Sequence, residues 1–175
     1  MNMKLILILL VFAQGCQQLP AQNSIKDIGV SKEYVLLKIN TIRKRGCKCK
    51  GLKYQPVGAL SWNKLLEKSA AVHAKSMYDN DYFSHYSLDG KDIGQKFDDI
   101  GYKWQYAGEN LAEGQKSFDE ALHDWMASPT HCKMLMNPNM VEMGLSKHGS
   151  YWVHHLGKKM PDKTKRVGYN YSQGD

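Results

Sequence analysis

The sequence predicts an α+β domain built on one hydrophobic core. Three observations carry this. Apolar residues recur at helical spacing in several segments between residues 31 and 137. Two period-two segments follow late in the chain, with a turn between them. No strand alternates with a helix in the manner of a wound parallel sheet, so helices come first and a hairpin last. A chain of 175 residues is one domain by length and long enough to bury a sizeable core.

The elements follow in order. Lys4 precedes an apolar run, Leu5 to Ala13. The run is too short to cross a bilayer but suits the apolar region of a signal peptide. Ala13 and Gly15 are small residues at the −3 and −1 positions of a cut before Cys16. Such a cut resembles lipoprotein processing, with Cys16 receiving the lipid and Ala13 standing where Leu is usual. Residues 1–15 are therefore read as a signal peptide and 16–30 as the lipidated Cys and a linker. The domain is expected over 31–157, and 158–175 as a basic flexible tail.

Ser31 is the expected cap of a first helix carrying Val35, Ile39 and Ile42, which Gly46 stops. Ser61 is expected to open a second, with Trp62, Leu65, Leu66, Ser69, His73 and Met77 on one face, ended by Asp79-Asn80-Asp81. A loop with Phe83, Ser84 and His85 leads to a turn at Asp89-Gly90. Ile93, Phe97 and Ile100 mark a third helix closed by Gly101. Residues 102–112 read as loop or short strand. Ser117 and Glu120 form a capping-box pattern before Phe118, Ala121, Leu122, Trp125 and Met126. Ser128-Pro129 starts a short helix that Asn137-Pro138 stops. Met140–Leu145 and Tyr151–Leu156 are the strands, joined through Lys147-His148-Gly149-Ser150.

Composition narrows the partners. The formal net charge is +7, which suits anionic surfaces such as acidic membranes or wall polymers. The basic stretch Arg43, Lys44, Arg45, Lys48, Lys50 and Lys53 is read first as a solvated helix end and loop. Contact with a membrane is expected only through the lipid anchor. An exported chain without a recognition motif is not expected to bind nucleic acid, and a monomer is expected. Export makes disulfides possible. Cys47 and Cys49 are a strained pair with one residue between them. The expected bridge is Cys49–Cys132, with Cys47 free or as the alternate partner. It would contribute ~4–5 kcal/mol in the chain-entropy view. A Cys zinc site is the rival reading, lacking a second pair at finger spacing.

The chain has no phosphate loop, no G-x-S-x-G elbow and no H-E-x-x-H. His73, on an apolar helix face, reads as a packed, hydrogen-bonded core histidine. His154 and His155 fall on opposite faces of a strand, so at most one points into a cleft. Three segments place His or Glu among small residues and aromatics: Tyr82 to His85, Gly108 to Ala112, and Ser128 to His131 followed by Val141 to Gly144. Loop positions on a rigid scaffold are where function concentrates. Two imidazoles and one or two carboxylates suit a Zn or other divalent site, or an acid–base pair.

Ala70-Ala71-Val72-His73-Ala74, Phe83-Ser84-His85, Gly108-Glu109-Asn110-Leu111-Ala112, Trp125 through His131, and Glu142-Met143-Gly144 come in the order and spacing of bacterial CAP-domain proteins, the SCP-like extracellular family. The resemblance spans residues 33–157. It implies an α–β–α sandwich, with helices flanking a small antiparallel sheet around a central cleft lined by His85, Glu109 and His131. Cys49 and Cys132 also sit where a bacterial subset carries a cysteine pair. Eukaryotic members carry a further Glu near the position of Ser128; Glu142 is the candidate to replace it. In some relatives the two His bind a divalent metal, here His85 and His131. Members of the family are linked to lipid or sterol binding, proteolysis and host interaction, without an agreed reaction; the expectation here is a cleft for lipid, sterol or a cell-wall fragment in an envelope lipoprotein or extracellular protein. The alternatives are a metal-assisted, peptidase-like hydrolase with Glu109 as base, and a glycosidase on Glu109 and Glu142, which needs carboxylates ~5–9.5 Å apart.

Overall fold

A computed structural model describes residues 28–161. The signal peptide, Cys16, most of the linker and most of the tail lie outside the described residues. Among those described, no helix is long and apolar enough to cross a membrane.

Helix α1 spans Lys32–Arg45 from an N-cap at Ser31, whose hydroxyl accepts from Tyr34 N. The core starts earlier than the expected boundary at 31, because Ile28 is buried in the main hydrophobic cluster. The basic stretch also departs from its reading at one residue. Arg43 is buried, donating from Nε to Gly58 O (2.7 Å), from Nη1 to Leu135 O (2.6 Å) and from Nη2 to Met140 O (3.0 Å). It ties the loop at Gly58, the end of α5 and the segment at Met140 together through their carbonyls and is unavailable to an outside polymer. A hairpin, β1 (Cys47–Cys49) and β2 (Leu52–Tyr54), occupies the segment read as loop.

Ser61 does not open a helix. Ser61–Trp62 form strand β3, and α2 (Lys64–Asp79) starts from Asn63, whose Oδ1 accepts from Leu65 N and Leu66 N. Asn63 is as good a cap as Ser, and pairing Ser61 and Trp62 with β5 decides between them. Helix α3 (Ile93–Asp99) begins with a reciprocal capping box, Asp92 with Gln95. At Ser117 the box is half formed. The hydroxyl takes Glu120 N, but the Glu120 carboxylate takes Lys116 N.

The larger correction is β4, a ten-residue strand over Trp104–Glu113 rather than loop or short strand. Helices α4 (Phe118–Ala127) and α5 (Pro129–Leu135) follow, then β5 (Glu142–His148) and β6 (Tyr151–Lys159). The turn is only Gly149-Ser150, and Gly149 holds φ 56°, a left-handed value that suits Gly. Strand β6 runs two residues beyond the expected boundary at 157.

The four-stranded sheet has the order β3-β5-β6-β4, antiparallel except for the short parallel β3. Strand β4 is therefore an edge. One face carries α2 and α3, with Ala70, Ala74, Met77, Leu111 and Val153 in one cluster and Leu66, Phe97 and Tyr102 in another. The other face carries α1, α4 and α5 on Trp125, Trp152, Leu145 and Leu156. This is the predicted α–β–α sandwich. Gly144 lets α2 settle on the sheet, since a methyl there would overlap the backbone at Leu66 and Glu67.

Candidate functional site

The register assembles the site. Glu109 on β4 lies opposite His155 on β6, so both side chains point to the α2/α3 face. His155 donates from Nε2 to Glu109 Oε2 at 2.8 Å. Lys96, placed one turn into α3, donates from Nζ to the same oxygen at 2.8 Å and to His85 O at 2.8 Å. The other oxygen, Oε1, takes His85 Nδ1 at 2.7 Å. His73 comes from α2, its Nε2 3.6 Å from Oε2 and 2.9 Å from Ser84 O. Because a carbonyl only accepts, His73 carries its proton on Nε2.

Electrostatics follow from burial and pairing. Burial alone would raise the Glu109 carboxyl. Hydrogen bonds from His155 and His85, with the charge of Lys96, outweigh it and hold Glu109 well below the usual carboxylate range. Burial depresses His73 to about 4 and lowers His155. At neutral pH the buried part of the cluster is thus one ion pair, Glu109 with Lys96, flanked by the neutral imidazoles of His73 and His155. His73 is the buried, hydrogen-bonded histidine expected, and it also reaches the site.

His85 is the exposed member, its side chain 57% accessible. It lines a cleft of about 390 Å³ at the free edge of β4, with Tyr86, Ile93, Gly108, Glu109 and Met134. With Nδ1 engaged by Glu109, Nε2 is the ring nitrogen of His85 left for an outside partner. His131, half-buried at the start of α5, comes from the opposite layer. Asn110 Nδ2 donates to its carbonyl at 3.2 Å. Burial, and then repulsion from His85, hold its imidazole below the ordinary range. His131 thus comes from the layer opposite His85 and is not in the cleft's wall.

Glu142 stands apart. Its Oε1 takes Asn63 Nδ2 (2.9 Å) and its Oε2 takes the Tyr102 hydroxyl (2.7 Å). It shares no hydrogen-bond partner with Glu109, and β6 lies between their strands. Its contacts brace the start of α2 against Tyr102.

Cys49 and Cys132 form the expected disulfide, with Cα atoms 5.7 Å apart. Cys47 is a free thiol whose Sγ lies 3.8 Å from each bridged sulfur. Among the described residues, this is the one place where three or more His, Cys, Asp or Glu ligand atoms lie within 4.8 Å of one another. Sequence reasoning missed Lys96 and did not choose between His154 and His155. The position of Lys96 between Ile93 and Phe97 on an apolar helix face was the available signal.

An α–β–α sandwich with a His/Glu cluster at its edge strand defines a class of extracellular-type domains. The chain belongs to the Cysteine-rich secretory protein (CAP) family, whose pattern it matches over residues 36–155. It is 36% identical over 110 residues to the uncharacterized protein YkwD of Bacillus subtilis, covering 59% of this chain and 42% of YkwD. The chain thus spans less than half of that relative. An extracellular protein containing a SCP domain from Bacillus anthracis superposes with a TM-score of 0.65 at 27% identity, over 73% of this chain and 40% of that one. An outer surface protein from Borrelia burgdorferi shares the fold, with a TM-score of 0.63 at 21% identity over 73% and 92% of the two chains.

Proposed function

We propose that this is an exported, non-catalytic binding module of the cell envelope, tethered through Cys16. Its cleft takes a small ligand of the lipid, sterol or wall-fragment class, with a divalent cation such as Zn seated between His85 and His131. The observation that carries this is the state of Glu109. Both carboxylate oxygens accept hydrogen bonds, and the group is sealed and held strongly ionised. A carboxylate so engaged is a poor proton acceptor, which disfavours the hydrolase with Glu109 as base. It is well suited to fix the His85 ring and direct Nε2 outward, the role of an outer carboxylate behind a metal-bound imidazole. A cation there would supply a Lewis-acid seat for a ligand oxygen. The relatives' extracellular and outer-surface settings support export.

Zn²⁺ titration of residues 17–175 by calorimetry tests the cation seat. Stoichiometric binding lost in both His85→Ala and His131→Ala is expected, with no turnover across peptide and glycan panels. Binding indifferent to both substitutions removes the seat. Turnover abolished by His85→Ala would replace the binding module with the hydrolase.

A further inference from the structure

The β1–β2 hairpin concentrates positive charge without any acid beside it in sequence. No Asp or Glu lies between Glu33 and Glu67, while that stretch holds eight Lys and Arg. Lys38 pairs with Asp119, and Arg43 is buried. Lys44, Arg45, Lys48, Lys50 and Lys53 are exposed. Among the described residues, the lysines in ion pairs are Lys32, Lys38, Lys75, Lys91, Lys96 and Lys159, none of those five. Lys44 and Arg45 have a local reason for their place, since cations suit the C-terminal end of α1. Lys48, Lys50 and Lys53 have no such reason.

The register sharpens this. Lys48 and Lys53 are direct cross-strand partners. Side chains so paired start about 5 Å apart on one face, and like charges there repel. Lys50 sits in the turn with left-handed backbone, φ 46°. Leu52, across the turn, is 68% exposed, more than any other large hydrophobic among the described residues. The hairpin is firmly held. Cys49 is bridged to Cys132 of α5, and Val57 N donates to Arg43 O at 2.9 Å. A fixed cluster of repelling ammonium groups around a bare leucine calls for an anionic partner with an apolar layer behind it. A hydrated wall polymer would meet the charge and leave Leu52 in water. A bilayer meets both, with phosphates at its surface and acyl chains beneath.

We propose that the β1–β2 hairpin docks on an anionic phospholipid bilayer, with Lys48, Lys50 and Lys53 among the headgroup phosphates and Leu52 entering the acyl boundary. Basic clusters of this size bind anionic leaflets, each cation adding about fivefold in affinity. The contact is additional to a lipid on Cys16, and it needs neither that lipid nor an occupied cleft.

The test uses residues 17–175, which hold every described element and leave out the apolar run and Cys16. The protein should sediment with vesicles of equal phosphatidylglycerol and phosphatidylcholine, and high salt should release it. The triple variant Lys48→Gln, Lys50→Asn, Lys53→Gln should bind about a hundredfold more weakly, at about fivefold per cation. A charge-matched control, Lys64→Gln, Lys103→Gln, Lys116→Gln, alters exposed lysines away from the hairpin. It should lose less than about tenfold, because distant charges are screened. Leu52→Ser should weaken vesicle binding by about fivefold, from lost apolar burial. It should leave binding to poly(glycerol phosphate), which has no acyl layer, unchanged. The hairpin triple variant relieves the Lys48–Lys53 repulsion, so its urea midpoint should equal or exceed the parent's. Equal losses in the two triple variants would mean that net charge alone attracts the vesicle. Vesicle binding indifferent to Leu52→Ser, or tighter binding to the polymer, would assign the hairpin to the wall instead. A lowered midpoint would mean that Lys48 and Lys53 already have partners in the fold. Any of the three overturns the proposal.

Discussion

His154 and His155 are neighbours on β6, both fully buried, and they meet opposite environments. His155 faces α2 and α3, where its Nε2 reaches Glu109 and its ring packs edge-on against Phe97 at 5.3 Å. His154 faces α4, stacked on Trp125 at 5.5 Å, with neither ring nitrogen hydrogen-bonded to protein. Equal burial therefore implies nothing about role. On one face an ionised carboxylate organises three imidazoles and a lysine. On the other, a histidine serves as a flat ring among apolar groups and is held neutral, depressed to about 3 by burial and then by the charges of His155 and Arg43.

The largest effect should come from breaking the organised face at its centre. Glu109→Ala leaves Lys96 buried without its counter-charge, and urea unfolding should show a loss of about 3–5 kcal/mol. A change below 1 kcal/mol, roughly a surface ion pair's worth, would mean the cluster is solvated. Next come the two histidines themselves. His155→Phe removes one donor from a buried carboxylate and should destabilise by about 1–3 kcal/mol at pH 7. His154→Phe removes two unmatched nitrogens from an apolar setting and should fall within about 1 kcal/mol of the parent. Equal effects would erase the contrast.

The smallest effect at neutral pH appears on acidification. The folded-state pKa of His154 is depressed from 6.5 to about 3. Between those values the unfolded chain binds a proton that the folded chain refuses, so stability falls as pH drops. The slope is about 1.4 kcal/mol per pH unit from this one residue, and the term vanishes above pH 6.5. Unfolding midpoints measured from pH 7 to 4 should show His154→Phe losing less stability than the parent. Parallel curves would show that His154 is protonated in the folded protein.

Most of this architecture was legible in the letters. Period and cap signals located α1, α4 and α5, because their apolar stripes and stop residues are local facts. The family motifs pointed to His85, Glu109 and His131, and the bridge pairing followed from spacing with Cys47 left open. Strand β4 was not legible. Its segment holds a glycine and mixed polarity, and half of its residues are buried only because β6 and α3 come to it from elsewhere in the chain. The start of α2 was ambiguous for the same reason: Ser61 and Asn63 are both competent caps, and pairing with β5 chose Asn63.

What the sequence determined alone was whatever depends on neighbours within a few residues: helical periods, caps, turn glycines, and the residue types able to ligate or titrate. Tertiary structure alone decided which of those residues share a charge environment. Lys96, His73 and His155 stand 13, 36 and 46 positions from Glu109 (from 96, 73 and 155 against 109), and only the register and the α2–α3 layer bring them to one carboxylate. The same folding left Glu142, an equally plausible letter, occupied with Asn63 and Tyr102. A carboxylate's partners and its state of ionisation are set by burial and by what lies within about 3 Å, and neither is written along the chain.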